Sequence, residues 1–114
     1  MLKVKILIVD DEPDYCMIMS SYFSEKNFEV FIANTLANGL KLLDDVNPDI
    51  LFLDNNLPDG RAWSHLDDII SQYPRLRIHL ISAYHHKTDN LENRPNVTVW
   101  EKPISMTHLD EVFA

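Results

Sequence analysis

The chain has 114 residues, 46% of them hydrophobic and 25% charged, which indicates one folded domain and is unlike the composition of a disordered protein. Its longest apolar runs, 6–9 and 50–53, are too short to span a bilayer, and the N-terminus has no signal-peptide core. We therefore expect a cytoplasmic protein that does not enter the membrane. The formal net charge of −8 argues against direct binding of nucleic acid or anionic lipid.

The first part of the chain predicts two strands, each followed by a helix. Residues 4–9 are almost continuously apolar and predict a strand, and residues 13–26 carry apolar side chains at helical spacing behind a proline. Residues 28–32 predict a second strand. Thr35 is then placed to cap a second helix over 36–46.

A third strand and a third helix follow, and then a fourth strand. Residues 50–53 form an apolar run that ends at Asp54, and residues 61–73 again show helical spacing. Residues 78–81 are apolar and end at Ser82. These strands, like the first one, end directly before a polar residue.

The last part of the chain has the weakest pattern. Residues 84–96 are polar, with Leu91 as their only aliphatic side chain, so a fourth helix there is weak or short. Residues 97–100 predict a fifth strand, and Ser105 is placed to cap a short fifth helix over 106–113. Strand and helix thus alternate five times. This predicts a (βα)5 α/β protein, a doubly wound parallel sheet in a three-layer sandwich with helices on both faces.

The residues just beyond the predicted strands indicate the chemistry. Ligands of open parallel sheets bind outside the carboxyl ends of the strands, where this chain has Asp10, Asp11, Asp54, Ser82 and Lys102. Three neighbouring carboxylates repel one another, and a hard cation such as Mg²⁺ relieves that repulsion. A carboxylate can attack phosphorus, while a cation and a lysine neutralise the transferring group. This set favours phosphoryl transfer to Asp54, which stands alone at its strand end.

Four segments carry a resemblance to a known family. They are ILIVDDEPD at 6–14, DILFLDNNLPDG at 49–60, LISA at 80–83 and WEKPIS at 100–105. In this order, the chain resembles the receiver domain of two-component response regulators over residues 1–114, with no output domain within them. The resemblance implies a five-stranded sheet in the order 2-1-3-4-5. It also implies a regulatory phosphoacceptor, which assists only its own phosphorylation and dephosphorylation, rather than an enzyme.

The resemblance implies a role for each residue of the acidic set. Asp54 matches the phosphoacceptor of the family. Asp11, Asp54 and the backbone carbonyl of Asn56 match the ligands of Mg²⁺ (or Mn²⁺), and Asp10 matches the acid that supports this metal through a water molecule. Lys102 matches the lysine that pairs with Asp10 and neutralises the phosphoryl group.

Further expectations follow from the same resemblance. Ser82 matches the hydroxyl that turns toward the phosphoryl group, and the Lys102–Pro103 bond is expected to be cis. A bulky Tyr84, two residues past Ser82, implies that the phosphoryl group is retained for minutes or longer. The implied phosphoryl donor is a sensor histidine kinase, a phosphotransfer protein or acetyl phosphate. The resemblance also implies that an output domain or a downstream protein responds to the phosphorylated domain.

One departure from the family pattern leaves other interpretations open. The family usually has an aromatic residue three positions before the lysine, where this chain has Val99, and Trp100 comes next. Val99 and the weak fourth helix fit a receiver-like interaction domain that works without phosphorylation. A hydrolase with an aspartyl-phosphate intermediate typically needs an acid where this chain has Asn56, which counts against that alternative.

Overall fold

A computed structural model describes residues 3–83 and 93–113 of the chain. Parallel strands alternate with helices along it. A two-residue antiparallel ribbon, Asn56–Leu57 with Gly60–Arg61, and a 3₁₀ helix, Ala62–His65, lie between the third strand and the third helix. In chain order the main elements are β1 (Lys5–Val9), α1 (Pro13–Glu25), β2 (Glu29–Ala33), α2 (Leu36–Val46), β3 (Ile50–Asp54), α3 (Leu66–Gln72), β4 (Arg77–Ser82), β5 (Val97–Glu101) and α4 (Met106–Phe113).

The five main strands form one parallel sheet in the order β2-β1-β3-β4-β5. The predicted α/β class and strand order are therefore confirmed. The expected short final helix is α4, which has eight residues. The helix expected in the segment 84–96 falls mainly on residues 84–92, which lie outside the described residues.

Each face of the sheet is covered by helices, because successive side chains of a strand point to opposite sides. Ile6 and Ile8 pack with α1 and α4, whereas Leu7 and Val9 pack with α2 and α3. Strands buried on both faces explain why β1 and β3 are apolar almost throughout. Within the described part of the chain, no helix has the length and apolarity needed to cross a membrane.

Local contacts fix how the helices begin. The Thr35 side chain accepts a hydrogen bond from Asn38 N at 3.1 Å and caps α2, as predicted. The predicted helix over 61–73 is wrong in its first turns, since the α-helix begins only at Leu66. Before it, Trp63 N donates to Asn55 Oδ1 at 3.1 Å, and Ala62 N donates to the Asn55 carbonyl at the same distance. These tertiary bonds hold the segment as a tighter 3₁₀ turn.

Candidate functional site

The carboxyl ends of four strands bring the predicted residues to one edge of the sheet. Asp10 directly follows β1, Asp54 is the last residue of β3, Ser82 is the last residue of β4, and Lys102 directly follows β5. Asp11 stands next to Asp10. Parallel strands of similar length end at the same level, which is why residues far apart in sequence meet here.

The ammonium of Lys102 lies at the centre of the site. Its Nζ is 3.1 Å from Asp10 Oδ2, 3.2 Å from Glu12 Oε1 and 3.5 Å from Asp54 Oδ2. Only 17% of the Lys102 side chain is exposed, so water and salt screen its contacts with the buried acids less than those of surface pairs. The Lys102–Pro103 bond is cis, as expected.

The acidic residues form a compact set of oxygen donors. Asp10, Asp11 and Asp54 each offer a carboxylate oxygen within 4.8 Å of the others. Asp10 and Asp54 are buried, whereas Asp11 is exposed to solvent. Asp10 Oδ2 has the ammonium of Lys102 nearby but accepts no well-aligned hydrogen bond within residues 3–83 and 93–113. Carboxylate oxygens with free lone pairs are the ligands Mg²⁺ prefers, so this donor set fits a small hard cation.

Burial perturbs the acids of the site. Burial, together with the charge of Asp10, raises the pKa of Asp54 to about 6, although Lys102 acts to lower it. Burial also raises the pKa of Asp10, although Asp10 Oδ1 accepts a hydrogen bond from Glu12 N at 3.0 Å. Burial alone would lower the pKa of Lys102, but its contacts with Asp10 and Asp54 outweigh burial and raise it. The carboxylates therefore carry more negative charge than Lys102 neutralises.

Ser82 and Asn56 flank this acidic set. Ser82 is 6% exposed. Asp54 of β3 is aligned in the sheet with Ile81 of β4, the residue that precedes Ser82. The Ser82 carbonyl accepts a hydrogen bond from Lys102 N at 2.8 Å, which ties the end of β4 to the end of β5. Asn56 N donates a long hydrogen bond, 3.4 Å, to Asp54 Oδ1. Tyr84 lies outside the described residues, so the expectation built on it stays a prediction.

Sequence reasoning missed two residues that contact Lys102. Glu12 precedes α1, and its carboxylate pairs with the ammonium. Tyr15, in the first turn of α1, belongs to the apolar pattern predicted over 13–26, but its ring centroid lies 5.1 Å from Lys102 Nζ. The available signal was their position, since both come within five residues of Asp10 on the segment that leaves the acidic pair.

Trp100 is a core residue. Its side chain is 4% exposed, and its Nε1–H donates to Nδ1 of His79 at 2.9 Å. Trp100 packs on the side of the sheet that carries α1 and α4, whereas Val99 packs on the opposite side with α2 and α3. Trp100 therefore does not replace the aromatic residue that the family pattern places at position 99.

Comparisons with known proteins agree with the fold. The response regulator receiver domain family matches residues 6–113. Sporulation initiation phosphotransferase F of Bacillus subtilis is 33% identical over 89 residues, and the match covers 74% of this chain and 68% of that protein. Regulatory protein AtoC of Escherichia coli is 32% identical over 80 residues, 70% of this chain, and this chain spans only 17% of its length.

Solved structures give the same result. The CheY-like response regulator receiver domain protein of Methanospirillum hungatei is 22% identical with a TM-score of 0.87, covering 97% of this chain and 90% of that one. The response regulator protein TrrA of Thermotoga maritima, solved in complex with Mg²⁺–BeF, is 24% identical with a TM-score of 0.82, covering 96% and 95%. With a family match over nearly the whole sequence, the chain belongs to the receiver domains of two-component response regulators.

Proposed function

We propose that this receiver domain accepts a phosphoryl group on Asp54. The observation that carries the proposal is that Lys102 Nζ lies 3.5 Å from Asp54 Oδ2, at the edge where Asp10 and Asp11 also lie. A carboxylate oxygen of Asp54 attacks phosphorus, the bond from phosphorus to the donor breaks, and the donor leaves with the electron pair. With acetyl phosphate as donor, the leaving group is acetate. Lys102 neutralises the negative charge of the transferring group.

The reaction is proposed to use Mg²⁺ (or Mn²⁺). Asp11, Asp54 and the backbone carbonyl of Asn56 would hold the ion, with Asp10 supporting it through water. When bound, the ion supplies positive charge to the phosphoryl oxygens. Two observations support this: the three carboxylates offer oxygens within 4.8 Å of one another, and TrrA, which has a similar fold, was solved with Mg²⁺–BeF.

Ser82 and the partners complete the proposal. The Ser82 hydroxyl would donate a hydrogen bond to the phosphoryl group, and its place beside the end of β3 supports this role. A sensor histidine kinase or phosphotransfer protein would supply the phosphoryl group in the cytoplasm. Phosphorylation would then shift an equilibrium between two conformations read by an output domain or downstream protein. The domain acts as a regulator and assists only its own phosphorylation and dephosphorylation.

Intact mass after incubation with acetyl phosphate and Mg²⁺ tests the proposal. We expect one phosphoryl adduct in the wild type and none in Asp54→Asn or in the presence of EDTA. Asp45→Asn, which removes an exposed carboxylate of α2, should form the adduct like the wild type. A folded wild-type protein that takes up no phosphoryl group under any condition would contradict the proposal and favour an interaction domain that works without phosphorylation.

A further inference from the structure

The side chain of Tyr15 lies against Lys102. The Lys102 ammonium is 5.1 Å from the centroid of the Tyr15 ring, within the range of a cation–π contact. The ring packs partly buried on the side of the sheet that carries α1 and α4. Tyr15 therefore contacts the ammonium through an uncharged aromatic ring, whereas Asp10, Glu12 and Asp54 contact it through carboxylates.

The carboxylates around Lys102 do not by themselves keep it at Asp54. Its distance to Asp54 Oδ2, 3.5 Å, is longer than its distances to Asp10 and Glu12, 3.1 and 3.2 Å. Glu12 has 62% of its side chain exposed, so the contact with Glu12 draws the ammonium toward solvent. A lysine side chain has a flexible four-carbon stem, so the groups packed around it also limit where its charge can lie.

The hydroxyl of Tyr15 is not the part of the side chain that holds Lys102. Its oxygen is buried and has no hydrogen-bond partner within residues 3–83 and 93–113. Burial raises the pKa of Tyr15, and the nearby charge of Asp10 adds to this, so the hydroxyl stays protonated and neutral. Because the hydroxyl forms no hydrogen bond with Lys102, it does not position the ammonium. The aromatic face is the part of Tyr15 that contacts the ammonium.

We propose that Tyr15 is a positioning residue for phosphoryl transfer: the face of its ring holds the Lys102 ammonium over the acidic site and limits its movement away from Asp54. This inference rests on the proposed phosphorylation of Asp54. It assigns the effect to the aromatic ring, so phenylalanine should replace Tyr15 and an aliphatic side chain should not. Tyr15 provides none of the proposed metal ligands, and its replacement should leave Mg²⁺ binding unchanged.

The chain offers a matched control on the same helix. Lys26 Nζ also lies 5.1 Å from the ring centroid of Tyr22, near the other end of α1. Replacement of Tyr22 by leucine removes a tyrosine and a lysine–ring contact of the same length, at a place remote from the acidic site. This control therefore shows whether a slower reaction requires loss of the ring contact with Lys102, or follows from loss of any lysine–tyrosine contact in α1.

The test compares the initial rates of phosphoryl adduct formation with acetyl phosphate at saturating Mg²⁺, measured by intact mass. Tyr15→Leu and Tyr15→Met should react about tenfold more slowly than the wild type, the size expected for one partly desolvated cation–π contact. Tyr15→Phe and Tyr22→Leu should remain within about twofold of the wild type. Mg²⁺ affinity, measured by titration calorimetry, should be the same in all variants. Tyr15→Met places a flexible, unbranched side chain in the space of the ring and serves if Tyr15→Leu does not fold.

The outcomes separate the inference from the function on which it rests. Wild-type rates in folded Tyr15→Leu or Tyr15→Met would overturn the inference while leaving Asp54 as the acceptor. A Tyr15→Phe variant as slow as Tyr15→Leu would also overturn it, because the hydroxyl would then be the group that matters. A wild-type protein that forms no adduct would refute the proposed function and the inference together.

Discussion

Replacement of Asp54 by asparagine should stabilise the metal-free protein. Folding buries Asp54 to 4% exposure beside the carboxylate of Asp10, and the pKa of Asp54 rises from 3.8 to about 6. Two pKa units correspond to about 3 kcal/mol of unfavourable free energy when the carboxylate is held charged at neutral pH. Asparagine keeps the shape without the charge, and Lys102 keeps its contacts with Asp10 and Glu12. Because the amide fits the site imperfectly, we expect a gain of about 2 kcal/mol.

The sign of the pH dependence makes this prediction specific. Since the folded state raises the pKa of Asp54, it binds a proton more readily than the unfolded chain between pH 3.8 and about 6. This residue therefore makes the wild type lose stability as the pH rises through that interval. The advantage of Asp54→Asn should be full above about pH 6 and vanish near pH 3.8. Mg²⁺ should reduce the advantage, because a bound cation stabilises the charged carboxylate of the wild type.

Urea unfolding in EDTA at several pH values measures the effect, and about 2 kcal/mol corresponds to a rise in melting temperature of about 8 °C. Asp45→Asn is the matched control, because Asp45 is an exposed acid 3.9 Å from Lys41, and it should change the unfolding free energy by less than about 0.5 kcal/mol. An Asp54→Asn protein less stable than the wild type in EDTA, or a difference independent of pH, would refute the reasoning.

Three further predictions concern metal affinity, packing and a buried histidine. Mg²⁺ affinity should fall as the pH drops below about 6, where Asp54 becomes protonated, and calorimetry at several pH values measures this. Gly39→Ala should lower the unfolding free energy, measured by urea unfolding, by about 1 kcal/mol, because the added Cβ would lie 2.9 Å from Val9 Cγ1. The control Asn38→Ala, at an exposed position of α2, should not lower the unfolding free energy. Burial lowers the pKa of His79 from 6.5 to about 4, so the Asp54→Asn protein should lose stability as the pH falls through that interval. His79→Phe in that background should remove this component, about 3 kcal/mol, and an unchanged pH profile would contradict it.

The order of elements and the place of the site were predictable from the sequence. The largely apolar strand β1 is followed directly by Asp10. The largely apolar strands β3 and β4 end at Asp54 and Ser82. A parallel sheet buried on both faces requires such runs, and its topology brings their ends together. The contact between Lys102 and Asp10 follows from this placement and is present at 3.1 Å.

Other features depend on tertiary contacts that leave no local pattern. The first turns of the predicted helix over 61–73 carry suitable apolar spacing, but Asn55 holds the backbone there in a 3₁₀ turn. Tyr15 fits an amphipathic helix like any other apolar residue, and only the distance to Lys102, far away in the sequence, separates it from a packing residue. Periodicity reports which face of a helix is buried but not what that face contacts.

The aromatic residue of β5 bears on how a signal would leave the site. Trp100 is held by the hydrogen bond to His79, and its ring centroid lies 4.5 Å from that of His108 in α4. Swinging this side chain outward would break the bond and expose a large apolar surface, whereas Val99 on the opposite face has no ring to swing. Trp100 nevertheless lies two residues before Lys102, on the strand whose end contacts the acidic site. We therefore expect a change at Lys102 to reach α4 through the packing of Trp100 against His108, and not through an outward movement of the Trp100 side chain.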